Sequence, residues 1–177
     1  IKGARITPQD CVEIKKSWQL VVDEKLAYFK HMKECNMIPM SKSSVSWFYD
    51  VFYESVYTYD VNNNSNMCNI FKHNLKIQAH ALMVIINNCI NIAQKYSLGE
   101  KFDYRAMHKA HDVIGITYKH YLIISELLLA TFDRCLREQW TKEMEIAWCK
   151  LVSRILKDIM PHYKFKFTKL FSTQRTT

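Results

Sequence analysis

Apolar positions recur with helical spacing along most of the chain. The clearest stripe is Met144, Ala147, Trp148, Leu151, Val152, Ile155, Leu156 and Ile159. It follows the i, i+3, i+4, i+7 rule of an amphipathic helix and predicts a helix over 141–160, closed by Pro161. Near the start, Thr7-Pro8 reads as a helix cap followed by a first helical residue, where a missing N–H costs nothing. Val12, Ile14, Trp18, Val21 and Val22 follow, and Leu26, Phe29 and Met32 continue the pattern, so the first helix is expected to run to about Cys35. Residues 36–44 contain Pro39 and form a loop. Val45, Phe48, Val51, Phe52 and Val56 place a helix over about 44–57. Three consecutive asparagines, Asn62 to Asn64, make 58–69 an expected loop, because their amides compete for the backbone. Further helices are predicted over 75–96, ending before Gly99, then 104–113, and 119–137.

Composition narrows the fold class. Three Gly and three Pro in 177 residues are too few turn residues for a many-stranded sandwich or barrel, while 49% hydrophobic residues can build a sizeable core. The expectation is an all-α single domain over 1–177, with its core in about 7–160 and a basic, aromatic tail at 161–177. A chain that begins at Ile1 reads as a domain cut from a longer protein. No run of about 18 uninterrupted apolar residues exists, so no membrane span is expected. Six cysteines without a CxxC pair, several of them in apolar stretches, suggest reduced thiols and a cytoplasmic setting. The formal charge of +8 leaves an acidic partner open. We read the Lys-rich tail as a solvated extension rather than a nucleic-acid contact.

There is no phosphate loop, nucleophile elbow, HExxH or paired-carboxylate motif, so a binding protein is expected rather than an enzyme. The chemistry that stands out is histidine on helices: His80 on the third predicted helix, and His108 and His111 on the short one. A helical histidine is usually a satisfied surface or core group. Two of them on facing helices across an apolar gap would suit a haem iron, which imidazole commonly holds.

The order of the segments resembles the globin family across almost the entire chain. TPQDCVEIKKSWQLV (7–21) resembles the globin A helix with an inward Trp, here Trp18. FYDVF (48–52) is similar to the pair of aromatics on the B helix, and Phe71 to the ring that stacks on haem at the C–E corner. HALMV (80–84) resembles the distal-histidine segment. HDVIGI (111–116) is similar to the proximal segment of neuroglobin-like globins. LREQWTKEMEIAWCKLVSRILKDIM (136–160) resembles the G–H junction and H helix. The region between Trp18 and Phe48 is extended relative to that pattern, and the stretch from the C helix to the E helix is elongated.

The resemblance implies a globin fold, a 3-over-3 helical sandwich, holding haem b. It makes His111 the proximal iron ligand, with His108 as the alternative one turn earlier. His80 becomes the distal ligand or a distal hydrogen-bond donor, with Gln78 as the competing distal residue. Phe71, Phe48, Phe52, Val84, Ile116 and Tyr121 are expected against the cofactor, and Lys72, His73, Lys76 and Arg105 are possible propionate partners. The similarity to neuroglobin-like and nematode neuronal six-coordinate globins implies a bis-histidyl iron acting in electron transfer or in redox or gas sensing. The partner would then be a small diatomic gas or a redox protein. A five-coordinate iron binding oxygen reversibly is the alternative, and a haem-free helical interaction module is the alternative of another class.

Overall fold

The computed structural model describes residues 5–63, 75–113 and 116–159; in 75–80, 110, 112 and 113 it describes the backbone alone. Those residues form α1 (Pro8–Val22), α2 (Ala27–Glu34), α3 (Ser44–Asn63), α4 (Leu75–Ser97), α5 (Arg105–Val113), α6 (Tyr118–Leu136), a 3-10 turn (Arg137–Gln139) and α7 (Lys142–Ile159). No strand occurs among them, so the chain is all-α as composition required.

α1 begins as its sequence dictates. The Thr7 hydroxyl accepts from Asp10 N–H at 3.1 Å, and Asp10 Oδ2 accepts from Thr7 N–H at 2.8 Å. This reciprocal pair satisfies two of the helix's unpaired donors. The stripe Cys11, Ile14, Trp18 and Val21 is buried.

The expected continuous helix from Pro8 to Cys35 is corrected: the chain breaks after Val22 and restarts at Ala27. Glu24 takes a positive φ of 55°, its N–H reaches Val21 O at 3.3 Å, and Lys25 N–H reaches Leu20 O at 2.9 Å. That is a Schellman closure built without glycine. α2 ends the same way at Asn36, and α4 at Gly99, whose φ of 79° suits a residue without Cβ.

A second correction concerns 58–69. α3 carries on to Asn63, so the segment's first half is helical. The Asn63 amide donates to Tyr59 O at 2.9 Å, so its side chain bonds a carbonyl of its own helix instead of competing with it. The remainder, 64–69, lies outside the described residues, as does the tail 161–177.

α1 packs against α7, α4 and α3, while α6 packs against α3, α2 and α7. An aromatic cluster fills the crossing. Phe132 stacks on Trp140 at 5.5 Å and lies 4.9 Å from Trp148 and 5.0 Å from Phe48, which meets Trp18 at 5.7 Å. The buried indole of Trp148 donates to Ser17 Oγ at 2.9 Å, and that hydroxyl donates to Ile14 O at 2.7 Å. The polar end of the Trp148 indole is therefore satisfied. Asp10 and Lys150 tie α1 to α7 with contacts of 2.9 and 3.2 Å. Among the described residues no helix is long and apolar enough to cross a membrane. Cys11, Cys35, Cys89, Cys135 and Cys149 are all free thiols.

Candidate functional site

The approach to α5 is fixed from three elements. Tyr96 at the end of α4 pairs with Tyr104 at 2.7 Å and donates to Asp158 of α7 at 2.6 Å. The Arg154 guanidinium lies 4.9 Å over the Tyr96 ring and bonds the same carboxylate at 3.1 Å. Burial first, and then the Asp158 and Tyr104 bonds, push the Tyr96 phenol up. Burial raises Tyr104 to about 12, against an opposing bond from Tyr96. Both stay neutral and act as a polar lock. Asp103 then accepts from Arg105 N–H at 3.0 Å at the start of α5, and its carboxyl is held at about 2 by the Arg105 side chain.

α5 presents two of the expected histidines. His108 is half-buried, with its ring 6.5 Å from that of Tyr104. His111, also half-buried, bonds through Nδ1 to the Tyr121 hydroxyl of α6, with ring centroids 5.4 Å apart. The chain between them is short. Ile116 N–H returns to His111 O at 3.0 Å, Thr117 opens α6, and His120 Nδ1 accepts from Thr117 N–H at 3.0 Å. That acceptor role needs an unprotonated nitrogen, and burial lowers the His120 pKa accordingly.

Beside this pair, α6 is only half covered. Leu128, Leu129, Phe132 and Leu136 are buried, whereas Leu122, Ile123, Ile124 and Leu127, one to two turns earlier, remain half-exposed. Tyr118 is 46% exposed, and Val84 on α4 is 40% exposed. Ile123, Ile124 and Leu127 pack against the buried core and keep part of their surface exposed, on the helix that carries Tyr121.

The structure brings together His111 and Tyr121, with Ile116 half-buried in the connection between them. Phe48 and Phe52 are fully buried, Phe48 between Trp18 and Phe132 and Phe52 against Tyr53 at 5.2 Å. Arg105 is bound to Asp103. His80 and Gln78 lie on the first turns of α4, and their side chains, like that of Lys76, are outside the description. Phe71, Lys72 and His73 fall outside the described residues altogether. Among the described residues no group of three or more His, Cys, Asp or Glu side chains is placed to hold a metal ion.

Sequence reasoning did not find the Tyr96–Tyr104–Asp158–Arg154 lock. Its members come from two helices and the connection between α4 and α5, and no local spacing joins them. No family model matches the chain.

Proposed function

We propose that this chain is a haem-binding globin in which His111 provides the protein's bond to iron. The observation that carries the reading is the His111–Tyr121 pair on the part of α6 whose apolar side chains are only partly buried. The donor set fits. An imidazole that ligates a metal through one nitrogen usually has the other held by a neighbouring polar group, which fixes its tautomer and ring plane. With Tyr121 on Nδ1, coordination through Nε2 follows. Ile123, Ile124 and Leu127, which lie toward one side of α6, would supply part of an apolar wall for a porphyrin. Bound haem would supply a redox-active iron able to take imidazole or a small gas.

His111 would hold the iron, Tyr121 bonds its Nδ1 and fixes the ring, and the α6 side chains would line the site. We assign His80 as the second residue that would hold the iron, on its sequence resemblance and its place one turn before Val84. A bis-histidyl iron with no open position suits electron transfer or redox sensing.

The test is spectroscopic. The purified chain supplied with haem should show a Soret band at about one haem per chain. His111→Ala should lose it, and His108→Ala should keep it. The ferrous, gas-free protein should give the sharp, split bands of a low-spin iron, and His80→Leu should broaden them to a high-spin spectrum. A broad wild-type ferrous spectrum with immediate carbon monoxide binding would replace electron transfer by reversible oxygen binding. Absence of any Soret band would leave a helical interaction module.

A further inference from the structure

We propose that the outer face of α4 is a self-association surface, on which a second copy of this chain packs antiparallel about a two-fold axis near Asn87. The proposal does not rest on the haem reading.

α4 carries no Asp, Glu, Lys or Arg between Lys76 and Lys95, in a chain where 24% of residues are charged. The lack of charge includes its exposed side. Met83, Asn87, Asn91 and Gln94 are all exposed, while Leu82, Ile86 and Ala93 on the other side enter the core. At 3.6 residues per turn these four form one stripe, about 12 Å long from Met83 to Asn91. Other long helices put charge at exposed positions: Lys15 and Lys16 on α1, Asp50 and Glu54 on α3, Asp133 and Arg134 on α6, Lys142 and Glu143 on α7.

The chemistry of the stripe selects its occupant. In a two-fold interface, a residue near the axis meets its own copy. A lysine or glutamate there would face an identical charge. An asparagine amide carries both donors and an acceptor, so two copies pair reciprocally, as buried asparagines do when they fix helix register. Methionine adapts its shape to whatever it meets, and depletion of charge with enrichment of methionine marks the centre of protein interfaces. An acidic partner drawn by the +8 charge finds no cation on this stripe. One helix face of this length is smaller than the ~1,200 Å² of a standard interface, so the dimer is weak and concentration-dependent.

Sedimentation velocity on the full chain, from about 10 µM to about 1 mM, spans the range where so small an interface assembles. A monomer–dimer equilibrium is expected. Raising NaCl from about 0.05 to 0.5 M should tighten it about three- to tenfold, because two +8 bodies repel and the interface holds no ion pair to screen. Asn87→Lys should weaken it at least about tenfold, by placing like charges at the axis. Ser46→Lys, the same charge at an exposed position of α3, should match wild type. Asn87→Asp separates charge from side-chain length and should also weaken the dimer. A monomer at every concentration, a dimer that Asn87→Lys leaves intact, or a dimer loosened by salt would each overturn the proposal.

Discussion

Tyr121 holds His111 at Nδ1 across the corner between α5 and α6, with the two rings tilted at 59°. Tyr121→Phe keeps the ring and removes the bond. A lost partner of a ligating histidine typically costs 10–100-fold in metal affinity. On the proposed haem-binding reading, transfer of haem from Tyr121→Phe to an acceptor apoprotein should therefore be faster by about that factor. A transfer rate equal to wild type would mean that the phenol does not support the iron ligand.

Trp148 and Ser17 give a stability prediction. Ser17→Ala removes the acceptor for a buried indole N–H and should cost about 1–3 kcal/mol in urea unfolding. In a Trp148→Phe background the donor is gone, so the same serine change should cost clearly less. Equal costs in both backgrounds would show that the hydrogen bond contributes nothing.

Asp10 predicts a pH dependence. Burial alone would raise its pKa, but the bonds from Lys150 and Thr7, with the Lys150 charge, outweigh it and leave the carboxyl lowered. A group depressed in the folded state contributes stability that is present above its unfolded value, near 3.8, and is lost as pH falls through the folded one. Asp10→Asn should thus cost about 1–3 kcal/mol at neutral pH. The gap from wild type should narrow below about pH 4. Parallel pH profiles for the two proteins would refute this assignment.

Thiol reactivity should divide the cysteines. Burial pushes Cys89 and Cys135 up to about 12 and Cys149 to about 11, Cys11 is buried, and Cys35 is exposed. Of these five, Cys35 should be labelled first by a thiol reagent in the native protein, with the other four following on unfolding. Peptide mapping after brief labelling checks the order. Early labelling of Cys135 would contradict the packing of α6.

The sequence by itself determined the helical class and most of the helices. The last stripe, Met144 to Ile159, became α7 with its start one residue from the expected one, because an uninterrupted apolar period of 3.6 has one stable arrangement in water. Thr7 and Pro8 marked the start of α1 for a similarly local reason, and the structure adds Asp10, whose cap bonds join residues three apart. His111 and Tyr121 were each legible as site candidates, but their hydrogen bond depends on how α6 is set against α5.

What only the tertiary structure decided lies where local rules gave no sign. α2 starts after Leu26, a residue with no side-chain cap to offer. Its cap comes from Gln139, whose amide accepts from Ala27 N–H at 2.7 Å and donates to Lys25 O at 3.1 Å. The break between α1 and α2 uses Glu24 in a conformation that sequence rules reserve for glycine. The lock from Tyr96 to Asp158 likewise spans 62 positions. In each case the partner is remote along the chain, and a single residue's type carries no record of which distant group will arrive beside it.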